Sequence, residues 1–273
     1  MPTKFNTLFL VLILPLHLLG QNTLTQAQVQ ADYSILKKVL TQGHPGLYEY
    51  TSAAEWDSLF ADFATNQIPA IHNVQDFYNS ITALTDQARD GHLVVMRPPL
   101  DTIPPLFPVL LKIIDGKLYT DTDDFGIPLG SEIRSIDGAH GPALRDRFLR
   151  YAPADGYNTT KKDRQIEREF GILHFYEFGA KEAYQIQFKT LSNQILSQTV
   201  QSQPFASIGQ RFTNRASYFG KNTQGQEAPF VYFIDSLQTA VLTINTFGLD
   251  VPVYQASLKE CFKTIKRNKA EHL

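Results

Sequence analysis

The sequence predicts a mixed fold of the α+β or α/β class, and three observations carry that prediction. Apolar residues recur every three or four positions from Ala31 to Arg89. At Asp90-Gly91 the period shortens to that of strands. From Pro229 onward two short apolar runs lead into a last amphipathic stretch, Val253 to Ile265.

The helical part comes first. Tyr33, Leu36, Val39 and Leu40 form one stripe, which Gly43-His44-Pro45-Gly46 stops. Ser52-Ala53-Ala54-Glu55 reads as a capping box opening a helix through Trp56, Leu59, Phe60 and Phe63. Ile68-Pro69 ends it, and Asn73 caps a third helix carrying Val74, Phe77, Tyr78, Ile81, Leu84 and Ala88.

The strand pattern follows. His92 to Met96 reads as a short β run, and the prolines from Pro98 to Pro108 as an extended linker. Phe107 to Ile114 and Lys117 to Thr120 flank Asp115-Gly116, a hairpin signal. Ile133 and Ile136 precede a second such turn, Asp137-Gly138, and Pro142 suits the first turn of a helix reaching Tyr151. Residues 161 to 178 read as helix, and Ala183 to Thr190 and Gln194 to Gln201 as strands. The polar stretch Gln201 to Glu227 reads as a loop or insertion. Pro229 to Ile234 and Thr239 to Thr246 are strands joined near Asp235-Ser236. The closing helix turns Val253, Leu258, Cys261, Phe262 and Ile265 inward. A further strand is expected where the sequence stops, so it reads as truncated or fragmentary.

The 273 residues contain 25 basic and 27 acidic side chains, which gives no surplus of charge for nucleic acid. Lys4, the apolar run Leu8 to Leu19 and Gly20 have the layout of a secretory signal, too short to span a bilayer. The expected location is therefore secreted, periplasmic or cell envelope, with no stable membrane span after cleavage. Cys261 stands alone, so the chain forms no internal disulfide, and its apolar helical face predicts a packing role.

Searching for chemistry removes most possibilities. No metal, phosphate-loop or dinucleotide motif is present, and no cofactor or metal site is expected. Ser34 and Lys37 match S-x-x-K without its companion strings. Asp121, Asp123, Gly126 and Glu132 fall at calcium-loop offsets, but Phe125 and Pro128 spoil the loop, leaving a solvated turn. Among the histidines, His72, His140 and His174 are expected to be solvated. His44 is expected to fix the end of the first helix, with a place in a pocket as the alternative. His92, directly after Asp90-Gly91, sits where a turn presents an imidazole at a sheet rim, in a structural or a chemical role.

Four strings in order resemble the tail-specific, or C-terminal-processing, serine protease family, in its secreted bacterial branch. They are His44-Pro45-Gly46-Leu47-Tyr48, Asp90-Gly91-His92, Gly130-Ser131-Glu132-Ile133-Arg134-Ser135-Ile136-Asp137-Gly138 and Leu242-Thr243-Ile244-Asn245-Thr246-Phe247. The resemblance implies an N-terminal helical domain over 31–100 behind the signal peptide 1–20. A PDZ-like module over 101–155 and the start of a crotonase-like α/β core over 156–273 would follow. It implies that His92 is the catalytic histidine and that the sequence stops before the nucleophile. The implied partners are unfolded polypeptides or protein C-termini, bound without hydrolysis by this chain alone. A non-catalytic module for peptides or an apolar ligand is the alternative, and an unrelated carbohydrate enzyme a third.

Overall fold

The structure is a computed structural model that describes residues 23–214 and 227–273. The predicted signal peptide and residues 215–226 lie outside the described residues. The fold is mixed α+β with antiparallel sheets, and the chain divides at Ser202/Gln203 into two units.

The first unit opens with helix α1, Gln26–Gly43. It begins five residues before Ala31 because Thr25 and Gln28 form a capping box that the sequence reading passed over. Its inner face is Val29, Tyr33 and Leu40, whereas Val39 is 58% exposed and off the predicted stripe. Helix α2, Ala53–Asp62, starts at the predicted Ser52–Glu55 box and continues as one π turn, Phe63–Gln67, before Pro69 breaks it. Asn73 caps α3, Val74–Thr85, its Oδ1 accepting the Asp76 N–H at 2.9 Å. The three helices close on Trp56 and Phe60, both fully buried, each worth about 1.5–3 kcal/mol of apolar burial. Trp56 Nε1 donates to Leu47 O at 2.8 Å, which pulls the loop after α1 onto this core.

Beyond the helices lies a sheet built on two Asp-Gly turns. Strands β1 (Leu111–Ile114) and β2 (Lys117–Thr120) are joined by Asp115-Gly116. Strands β3 (Glu132–Ile136) and β4 (Ala139–His140) are joined by Asp137-Gly138. All four turn residues have positive φ, between 49° and 82°, as a two-residue hairpin turn requires. Helices α4 (Gly141–Phe148) and α5 (Thr160–Phe178) follow, and β5 (Ala183–Lys189) and β6 (Ile195–Gln201) complete the sheet. Its order is β1-β2-β3-β5-β6 with β4 beside β3, every pairing antiparallel. The sheet thus runs on past residue 155, where the sequence reading ends the PDZ-like module.

Alternation puts Leu111, Ile113, Leu118 and Tyr184 on the face that α5 covers with Ile166, Phe170 and Leu173, and a register shift in β3 between Ile133 and Ser135 brings both Ile133 and Ile136 to the same core. Helix α5 approaches closely because residue 171 is glycine. A Cβ there would lie 2.6 Å from Phe107 O.

Two further expectations fail in this unit. Residues His92 to Met96 form no strand. Val94 and Met96 are 56% and 83% exposed, and Pro98 and Pro99 directly beyond lack the N–H groups that a ladder needs. His174, expected to be solvated, is 1% exposed on the inner face of α5 among aromatic rings.

In the second unit the polar stretch contains a helix, α6 (Phe205–Asn214), where a loop was expected. Pro204 precedes its first turn, and Phe205, Ile208 and Phe212 recur at helical spacing. Strands β7 (Phe230–Ile234) and β8 (Thr239–Thr243) form an antiparallel pair, and α7 spans Val251–Asn268. Cys261 is buried and points its thiol at Pro229 O, 3.4 Å away, whereas Val253 and Phe262 are each 50% exposed and off the predicted inner face. After α7 the backbone returns to β8 in parallel: Ala240 N–H donates to His272 O at 2.9 Å. Among the described residues no helix is long and apolar enough to cross a membrane.

Candidate functional site

Three segments of the first unit meet at the Asp90-Gly91-His92 turn: the loop after α1, the end of α3, and the loop before α5. A single-turn 3-10 segment, Asp86–Ala88, extends α3, and Arg89 closes it in the left-handed conformation at φ 51°. Thr51 Oγ1 donates to Gln87 O at 2.7 Å and ties the first loop to this end. The Gly156 N–H donates to Arg89 O at 2.8 Å, and Asp155 Oδ1 accepts the Gly91 N–H at 2.7 Å, tying the third. The turn is thus latched from both sides through its own backbone groups, which holds its side chains in register.

Upstream of Asp155, the chain is anchored by a buried ionic cluster. Glu177, on α5, is 2% exposed and paired with both Arg147 and Arg150. Tyr151 Oη lies 2.6 Å from the same carboxylate and 2.8 Å from Asn79 on α3. Burial is the first cause that pushes the Tyr151 phenol well above its ordinary range, so it stays a neutral hydrogen-bonding group. Removing Glu177 would leave Arg150 and Tyr151 without their shared carboxylate, so the cluster fixes the segment leading to Asp155.

Asp90 is the hub of the turn. Its Oδ2 lies 3.1 Å from His44 Nε2, and its Oδ1 lies 3.4 Å from His92 Nδ1. The same Oδ1 accepts the His92 backbone N–H at 2.7 Å, the largest cause holding the Asp90 carboxyl below the usual carboxylate range. Asp90 is therefore ionised at neutral pH and offers one oxygen to each imidazole. The two histidines differ in setting. The His44 side chain is 9% exposed, and its Nδ1 is buried with no hydrogen-bond partner. The His92 side chain is 92% exposed. With Nδ1 turned to Asp90, His92 presents Nε2 to solvent, the arrangement of an imidazole able to accept a proton from a docked group.

Both singled-out histidines thus fall on one carboxylate. His44 does end α1, its N–H donating to Leu40 O at 3.3 Å, and it also reaches the turn 46 residues later. Among the described residues no serine hydroxyl bonds His92. Ser34 Oγ donates to Gln30 O at 2.7 Å, while Lys37 Nζ lies 5.0 Å from the centre of the Phe60 ring, so that pair is not assembled. The calcium-loop residues are not assembled either: Phe125 and Gly126 occupy a positive-φ turn, and Glu132 pairs with Arg134 at 2.7 Å.

The sequence reading missed Asp155 and Arg89. Only the Asp-Gly turn signal at Asp155-Gly156 hints at the first, and nothing local marks its reach to Gly91. One oxygen or nitrogen each from Asp90, His92 and Asp155 lies within 4.8 Å of the others, close enough to share a cation. Each carboxylate there already accepts a backbone N–H.

No protein-family model matches the chain, and no curated protein matches it. Among solved structures the chain is similar to mature CPAF, with 14% identity and a TM-score of 0.46. CPAF complexed with lactacystin gives 11% and 0.45, and its serine-to-alanine mutant 15% and 0.45. CPAF is a chlamydial serine protease of the tail-specific protease family. Each match takes in 64% of this chain and 34% of that one, so the chain spans about a third of the CPAF structures. A likeness of this size concerns the fold alone.

Proposed function

We propose that this chain is an exported serine-peptidase homologue of the tail-specific type that binds unfolded polypeptides or protein tails, with His92 as its acid–base residue. The observation that carries the reading is the single carboxylate of Asp90 set between His44 and His92. Two of the four strings that resemble the family are thereby joined at one point, 46 residues apart in sequence.

The chemistry follows from what the residues can do. A serine hydroxyl attacks a peptide carbonyl only as its proton is taken, and an imidazole near neutral pKa is suited to taking it. Asp90 would hold the ring by Nδ1, leaving Nε2 for the hydroxyl. The β-rich part, read as a PDZ-like module, would add a peptide as an extra strand at a sheet edge. On this reading the chain by itself is expected to bind without cleaving.

Two measurements test this. The purified chain is mixed with a fluorescent unfolded protein, such as reduced and carboxymethylated lactalbumin, and both anisotropy and fragment release are followed. Saturable binding without release is expected. Release abolished by His92→Ala would show that a nucleophile is present, and an absence of binding would remove the peptide reading. Export is tested separately, by whether residues 1–20 direct a reporter out of the cytoplasm.

A further inference from the structure

Arg89 precedes the Asp90 turn and serves none of the contacts described for it through its side chain. Among the described residues of the first unit, each of the seven other arginines has a carboxylate within 4.0 Å. Arg89 has none. Its Nε is buried without a hydrogen-bond partner, and its guanidinium carbon lies 4.2 Å from the centre of the Tyr157 ring. Tyr157 in turn meets Tyr50 edge-on, with ring centres 6.1 Å apart.

These three side chains line a cleft of about 520 Å³ that also takes in Thr51, Glu55 and Gln87. Glu55 lies in the same cleft but forms no ion pair with Arg89, and its Oε2 is held by Ser52. It accepts the Ser52 N–H at 2.8 Å and the Ser52 hydroxyl at 2.7 Å, which hold its carboxyl below the usual range. A guanidinium stripped of water on one side and stacked on an aromatic face keeps its in-plane N–H edge for a planar anion. The paired Tyr50 and Tyr157 rings offer apolar surface to the methylenes of the group that brings that anion.

We propose that this cleft is a specificity subsite that takes the side-chain carboxylate of an acidic residue in an extended peptide passing His92. The proposal rests on the peptide-binding reading above and deepens it by naming the side chain. Arg89 supplies a two-pronged contact and Tyr157 a shelf that fixes the guanidinium plane. The backbone latch from Gly156 N–H to Arg89 O keeps shelf and charge together.

Three fluorescent peptides of one extended sequence separate the possibilities. One has a central Glu and an amidated C-terminus, the second a central Gln and an amidated C-terminus, and the third a central Gln and a free C-terminal carboxylate. Anisotropy with the full chain at low salt is expected to show the Glu peptide binding about tenfold more tightly than either Gln peptide. The preference should vanish in Arg89→Gln, persist in part in Arg89→Lys, and weaken in Tyr157→Ala, whose exposed ring can be removed without touching the core. Equal binding of all three peptides to the unaltered chain overturns the subsite. So does a preference carried only by the free C-terminus, or one that survives Arg89→Gln. Failure of every peptide to bind overturns the peptide-binding reading itself, a distinguishable result.

Discussion

Replacing His174 by phenylalanine should remove much of the chain's sensitivity to acid. The imidazole is 1% exposed on the inner face of α5, 4.7 Å from the Phe178 ring and 5.2 Å from the Tyr184 ring, centre to centre. Its Nδ1 is buried without a partner. Burial, helped by the nearby charge of Lys181, lowers its pKa to about 4. A histidine depressed in the folded state takes its proton more readily when the chain unfolds. Stability is therefore complete above the ordinary value of 6.5 and is lost as pH falls towards 4. At about 1.36 kcal/mol per pH unit, roughly 2 kcal/mol has gone by pH 5 and about 3 kcal/mol by pH 4. The surrounding rings accept a phenyl group of similar shape, so His174→Phe should keep the packing and lose the titration. Urea denaturation followed by far-UV circular dichroism, on both proteins from pH 7 to pH 4, reads the difference. Parallel curves would refute the reasoning, since they would mean that His174 titrates alike in the folded and unfolded chain.

Other substitutions probe the packing and the turn. Gly171→Ala gains about 1 kcal/mol of helix propensity, but its Cβ would lie 2.6 Å from Phe107 O. The clash should win by about 2 kcal/mol, and an unchanged or raised melting temperature would contradict it. Asp155→Ala leaves the Gly91 N–H without its acceptor, so amide exchange at Gly91 should quicken about tenfold with little change in global melting. An unchanged exchange rate would mean that the latch contributes nothing. The Cys261 thiol, buried and pushed up in pKa by that burial, should react with a disulfide reagent about a hundredfold more slowly in the folded chain than in urea. Prompt reaction in the folded chain would place it at the surface.

Local signals were legible in the sequence where the cause is local. The Ser52–Glu55 box, the Asn73 cap and the two Asp-Gly turns act within four residues, and each stands where it was read. His174 went wrong because a histidine on a charged helix gives no sign of which face the sheet will cover. The run His92 to Met96 went wrong because a strand needs a neighbour, and alternation alone does not supply one. The stretch holding α6 is polar overall, which hides the helical spacing of Phe205, Ile208 and Phe212.

The site divides along the same line. Asp90, Gly91 and His92 are one string and were read together, whereas Asp155 lies 64 residues from Gly91 and is joined to it only by the fold. The two aspartates then have separate duties. Asp155 spends its bond on a backbone N–H and sets where the turn sits, so losing it should loosen position more than charge. Asp90 faces two imidazoles, one buried and one open to solvent, so losing its charge should loosen the hold on both rings while the turn stays in place. Asp90→Asn keeps an acceptor for the His92 N–H but removes the anion between the rings. The placement of the turn and the charge beside the two rings can thus be taken away one at a time.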